Sequence, residues 1–385
     1  MLEEAVARTT VLQSRMADLG IHHAVFTSES AIAYLAGFWG YLGIEFGRPT
    51  LLVVPSDATP IVITPLMENE MVREMTWIDD VRTWEDTGSR SWTKALADVL
   101  PEKPPAIWVE ALDLPARVRT FFDDQFPAIP LRDIGPVLGV QRMIKSPLEI
   151  EVMKQAGEIA GAMMHAAHAS LHAGAREYES ALAVIEAGTR KAAGFLTDRG
   201  WERFISPMIH DLQILQSGKN TSMVHGRASV KAYERGNPVY FCFCNMAQFK
   251  QYKLGFDRMF HIAEATDGAV RVQQAAIDAQ QAALAAIRPG VQAQDVAAAA
   301  NEIYAERGYV TGYRTGRSIG VAYLEAPELK AGDQTILKPG MTFAVDGGIS
   351  VEGESAGRIG DSIVVTETGF DYLTNYPRHV MVTDS

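Results

Sequence analysis

Five side chains in this 385-residue sequence are of the types that move protons or hold charge, and each stands in a short, distinctive segment. His225 lies in SGKNTSMVHGRAS, Asp257 in LGFDRMF, Asp346 in MTFAVDGGI, Arg317 in TGRSIG and Arg358 in GRIGDS. An imidazole both gives and takes a proton near neutral pH. A carboxyl holds a cation or a polar nitrogen group, and a guanidinium forks onto a carboxylate. Taken singly, each has an ordinary structural alternative. A lone histidine is usually a satisfied core or surface group, and Asp257 has Arg258 beside it as a partner. Asp346, just before two glycines, suits a turn in which it accepts backbone N–H groups. Arg317 and Arg358 equally suit neutralising Asp346 and Asp361.

The remaining chemistry-bearing patterns are sparse. No GxGxxG, Walker or HExxH motif occurs, and the expectation is neither a nucleotide-dependent enzyme nor a serine hydrolase. The two cysteines, Cys242 and Cys244, lie two apart in VYFCFCN, a strand-like run that puts both thiols on one face. They make no disulfide framework and lack a second pair for a zinc site.

Composition narrows the partners. With 47% hydrophobic and 21% charged residues the chain reads as globular. Its 35 basic against 47 acidic side chains, net −12, disfavour nucleic acid or an anionic membrane as the main partner. The start, MLEEAVARTTVLQSRM, has neither the basic flank nor the apolar core of a signal peptide, and no apolar run reaches membrane-span length. The expectation is a soluble, reduced, cytoplasmic protein acting on a small molecule.

The elements that must position these residues fall into two parts. Over 1–140, EEAVARTTVLQSRMADLG and SRSWTKALADVL have helical spacing, whereas HHAVFTS, PTLLVVPS, PIVITP and AIWVEAL read as strands, giving an α/β domain with a mixed sheet. The next boundary is sharp. In IKSPLEIEVMKQAG, Ser146 is an N-cap, Pro147 takes the first helical position and Glu149 closes a capping box, so a second domain spans 146–385. It reads as two helices, a strand-rich region over about 203–263, an Ala-rich helix over about 266–287, a helix ending at Gly308, and a strand-rich end.

RMIKSPLEIEVMKQAGEIA, TGYRTGRSIGVAYLEAPELK, LKPGMTFAVDGGI and GRIGDSIVVTETG, in that order and spacing, resemble the pita-bread fold of creatinase, Xaa-Pro peptidases and methionine aminopeptidase. FTSESAIAYLAGFWGYLGIEFGRPTLLVV resembles the N-terminal domain of creatinase, chiefly through FGRP. The resemblance implies an α/β (α+β) chain, a creatinase-like N-terminal domain followed by a pita-bread catalytic domain.

Metal-dependent members of that family hold two divalent ions with two Asp, one His and two Glu. Carried onto this chain, those positions become Cys242, Asp257, Arg317, Asp346 and Gly360, so only two keep an oxygen donor, and a guanidinium stands where the imidazole belongs. The resemblance therefore implies the metal-free route of creatinase, with no cofactor. His225 would be the acid/base, Asp257 and Asp346 would bind the nitrogen part of the substrate, and Arg317 or Arg358 its carboxylate. The expected activity is hydrolysis of a C–N bond in a small carboxylate-bearing compound, in the manner of creatinase or ectoine hydrolase. The alternatives are a lyase acting on a small zwitterion, a metal-dependent Xaa-Pro dipeptidase and a non-catalytic binding protein. From the creatinase resemblance, FGRP further implies a homodimer in which Phe46 and Arg48 complete the pocket of the neighbouring subunit.

Overall fold

The computed structural model describes residues 2–40, 47–87, 91–198, 200, 204–209, 214–310, 312–352 and 355–384. The chain forms two compact units, Met1–Gln141 and Arg142–Ser385.

In the first unit a six-stranded mixed sheet runs in the order Asp80–Trp84, Ile61–Pro65, Leu51–Pro55, His23–Phe26, Ile107–Val109, Leu131–Asp133. LLVVP is buried at every position, as a strand covered on both faces must be. Val25, Leu51, Val53 and Ile63 pack against Trp92, Leu96, Phe121 and Phe122 from the helices Trp92–Ala97 and Ala116–Gln125. The opening helix, Leu2–Asp18, stops before Gly20, whose φ of 67° is one that glycine adopts without cost.

The second unit opens as the sequence indicates. The helix Pro147–Ala169 begins at a complete capping box between Ser146 and Glu149. Glu177–Asp198 follows. A large sheet then orders its main strands as Glu325–Leu329, Gly316–Ser318, Thr342–Val351, Ser355–Val365, Asp257–His261, Pro238–Cys242, Ile214–Ser217.

The helices Asp267–Ala286 and Ala293–Glu306 lie on this sheet through a seam of alanines, Ala275, Ala276, Ala279 and Ala283, against Phe343, Val345, Ile363 and Val365. Gly347 and Gly357 let the helix come that close. A Cβ on Gly347 would lie 2.1 Å from the Ala276 carbonyl oxygen, and one on Gly357 2.4 Å from that of Val272. The helix thereby fixes the two central strands that carry Asp346 and Arg358.

Candidate active site

Strand alternation places the carboxyls. Phe343 and Val345 face the helices, so Asp346 points the other way, into a cavity of about 950 Å³. Arg258 turns away from that cavity and pairs with Asp361 at 2.9 Å, which leaves its neighbour Asp257 facing the cavity. Asp361 is also held by Arg378 at 3.0 Å and by Gln280. The adjacent Asp257–Arg258 pair read as a structural alternative therefore does not form. Arg258 and Asp361 instead serve the sheet's other side.

Three strands then bring Asp257 and Asp346 together. Each is the cross-strand partner of Gly360. A Cβ at Gly360 would lie 2.5 Å from Asp257 Oδ2 and 2.9 Å from Asp346 Oδ1, so the carboxyls have closed into the space that a side chain there would need. Asp257 Oδ1 and Asp346 Oδ1 are buried without a hydrogen-bond partner among the described residues. Burial first, and then the Asp346 carboxylate, push the Asp257 carboxyl well above its ordinary range, toward the neutral acid.

Arg317 fills the space beside them. Its Nη1 donates to Asp346 Oδ2 at 2.5 Å and its Nη2 to Cys244 Sγ at 3.2 Å. The same Nη2 meets the Tyr323 hydroxyl, and the guanidinium lies over the Tyr323 ring, 4.5 Å from its centroid. Burial pulls the guanidinium pKa down, but the Asp346 charge, the two neighbouring thiols and the Asp346 hydrogen bond together outweigh it, and Arg317 is held more firmly protonated than usual. Of the two roles read for Arg317, neutralising Asp346 is the one the geometry contains.

Arg358 differs. It is 7% exposed and donates to Ser350 Oγ at 2.6 Å, and its guanidinium lies 5.6 Å from the Tyr240 ring centroid. It has no carboxylate partner among the described residues, and its Nε is buried without an acceptor. Its charge is felt by Asp257 across the cavity, but no ion pair forms between them, and a buried guanidinium facing a cavity without an ion pair is an arrangement that an anion would relieve.

His225 lines the same cavity from the loop after the short helical turn Gly218–Ser222, and it is exposed there. Cys242, the register partner of Asp257, and Cys244 line it too. The Cys242–Cys244 hydrogen bond raises the Cys242 pKa and lowers that of Cys244, to which Arg317 adds a further lowering. His225, Asp257, Asp346, Arg317 and Arg358 thus share one cavity. Arg48 is elsewhere, paired with Asp86 inside the first unit, and Phe46 lies outside the described residues.

Two contributors were not singled out from sequence. Tyr323 holds Arg317 and Ser350 holds Arg358. Tyr323 follows Arg317 by six residues, beyond any helix or strand period, and only the return of the chain between Gly316–Ser318 and Glu325–Leu329 brings them together. The segment GRSIG also spells the GxSxG pattern of serine hydrolases. Ser318, however, is fully buried within a strand with Lys145 Nζ at 3.5 Å from its Oγ, unlike the exposed serine of a strand-to-helix elbow.

A dinuclear metal centre does not fit these residues. No side chain exists at Gly360, Cys242 supplies a thiol, and Arg317 holds Asp346 with a permanent positive charge in the space an ion would take. Cys242, Cys244 and Asp257 do place ligand atoms within 4.8 Å of one another. One of those atoms, Cys244 Sγ, already accepts from the Arg317 guanidinium.

The Metallopeptidase family M24 description matches residues 151–367, and the creatinase/prolidase N-terminal domain matches residues 8–144. Agropine synthesis cyclase of Rhizobium rhizogenes is 27% identical over 94% of this chain and 94% of its own. Creatinase of a Bacillus species is 28% identical, covering 97% of this chain and 91% of its own. The crystal structure of dipeptidase PepE from Mycobacterium ulcerans superposes with a TM-score of 0.83 at 26% identity, covering 99% of this chain and 98% of that one. With its M24 region carrying the cavity and a creatinase-type domain before it, this chain belongs to the creatinase/Xaa-Pro peptidase branch of the M24 family of hydrolases, the pita-bread enzymes.

Proposed function

We propose that this protein is a metal-independent hydrolase that cleaves a C–N bond in a small polar compound bearing a carboxylate. The observation that carries the reading is the Arg317 guanidinium, ion-paired to Asp346 in the place of the family's metal-binding histidine. Likeness to creatinase across 97% of the chain supports it.

In this reading Arg358 binds the substrate carboxylate, since it is the buried guanidinium without an anion among the described residues. Asp257, as a neutral acid, donates a hydrogen bond to the substrate group at the reacting carbon, and Asp346 Oδ1 accepts from an N–H. With the Asp257 carboxyl shifted toward its neutral form and Asp346 already balanced by Arg317, the pair suits an uncharged amide better than an amidinium or guanidinium cation. His225 takes a proton from water as the oxygen attacks, then returns it to the departing nitrogen, so the products are an amine and a carboxylic acid from an amide, or an amine and an amide from an amidine. The protein acts as a homodimer whose pockets are completed by Phe46 and Arg48 of the partner subunit.

A second reading is favoured by the relative named a cyclase at 27% identity. Ring closure with loss of water is the reverse of ring-opening hydrolysis, and the same acid/base groups serve both directions. The test is a screen of small carboxylate-bearing amides, amidines and cyclic amidines, read by thermal shift and then by mass spectrometry of products. A ring-opened product heavier by one water, or two fragments whose masses sum to the compound plus one water, supports hydrolysis, and a product lighter by one water supports cyclisation. Cleavage of Xaa-Pro dipeptides with none of these compounds consumed overturns the proposal.

A further inference from the structure

The cavity is positively charged in a negatively charged protein. Its lining holds five permanent cations, Arg227, Arg314, Arg317, Lys330 and Arg358, against three carboxyls, Asp257, Glu328 and Asp346. The excess of positive charge holds even with all three carboxyls ionised, in a chain whose net charge is −12. One buried guanidinium accounts for one substrate carboxylate, and it does not account for the rest.

The cations fall into two tiers. Arg317 and Arg358 are buried at the sheet, 5% and 7% exposed, and Arg317 is committed to Asp346. Arg227, Arg314 and Lys330 are exposed. Arg314 and Lys330 both reach Glu328, at 3.4 and 2.7 Å, and Lys330 is also within the field of Asp333. Arg227, two residues from His225, has no carboxylate partner among the described residues. Clefts lined by one sign of charge concentrate ligands of the other sign and bind them most firmly when the ligand carries charge at both tiers.

We propose that the substrate is a dianion, with one carboxylate on Arg358 and a second on the outer tier of Arg227, Arg314 and Lys330. Its chemical class is an amide whose nitrogen belongs to an acidic amino acid or another dicarboxylic amine. The assignment rests on the reading above that the substrate bears a carboxylate.

Binding is measurable without turnover. Calorimetric titration of the full-length protein compares straight-chain dicarboxylates from succinate to adipate with monocarboxylates of equal length. The expected result is that at least one dicarboxylate binds about tenfold tighter than its monocarboxylate, as a second charge-assisted contact implies. That preference shrinks as salt is raised. In a triple variant, Arg227→Gln with Arg314→Gln and Lys330→Gln, the preference falls toward unity while monocarboxylate affinity holds. Arg358→Gln weakens both classes alike. Equal binding of the two classes to the wild-type protein overturns the dianion assignment and leaves the carboxylate reading intact. Failure of both classes to bind overturns both.

Discussion

Asp257 and Asp346 converge on one residue, Gly360, each pairing with it in register from the strand on either side. In a metal-dependent relative that row would offer three carboxylates to cations. Here the middle carboxylate is absent, the outer two have drawn in over the glycine, and a guanidinium neutralises one of them.

Gly360 is therefore the least replaceable residue of the row. Gly360→Ala places a methyl 2.5 Å from Asp257 Oδ2, and overpacking of this kind costs about 1–3 kcal/mol. Denaturant unfolding is expected to show that loss. Unchanged stability would mean that the carboxyls move aside freely.

The two acids differ in their contribution to stability. Asp346→Asn strips the anion from a buried Arg317, and removing one partner of a buried pair costs about 3 kcal/mol or more. Asp257→Asn replaces a carboxyl whose charged form burial already disfavours, and costs less. Its signature is in the pH dependence. Because the folded Asp257 pKa is raised, the folded state holds this proton where the unfolded chain has lost it. Wild-type stability from this group is present in acid and declines from the ordinary aspartate range upward until pH passes the raised value. Asp257→Asn flattens that decline, so the variant gains on wild type as pH rises. A gap that widens in the opposite direction contradicts the protonated state.

Most of the fold was readable from sequence because local signals agreed with tertiary ones. Ser146, Pro147 and Glu149 announce a helix start by chemistry that needs no distant partner, and the structure contains it whole. LLVVP and IVITP read as strands from their buried runs alone. The cavity was legible only in part. Segment likeness points to Asp257, Asp346 and Arg317, but which arginine is paired depends on the register of the strands at Gly316–Ser318, Thr342–Val351 and Ser355–Val365. That register puts Arg317 against Asp346 and leaves Arg358 facing Ser350, a distinction with no local trace.

His225 is exposed at the cavity, so His225→Ala is expected to leave the unfolding midpoint nearly unchanged. On a substrate from the screen it should lower kcat by about 10²–10⁴-fold, the range for a positioned acid/base group. Near wild-type turnover would remove His225 from the mechanism.

Sharing of the pocket across a dimer has its own test. A chain with His225→Ala and a chain with Arg48→Glu are each expected to be inactive. Mixed by reversible dissociation they should recover about a quarter of wild-type activity, since half the symmetric dimers become heterodimers with one intact site. Proven heterodimers without activity would show that each pocket is built within one chain.

The most direct test of the guanidinium-for-metal exchange is elemental analysis of the purified protein, paired with substrate turnover before and after exhaustive chelation. The expected result is no stoichiometric divalent ion and unaltered turnover. About two ions per chain, as in dinuclear hydrolases, or one ion lost on Cys242→Ser, with turnover falling on chelation and returning on metal addition, would contradict it.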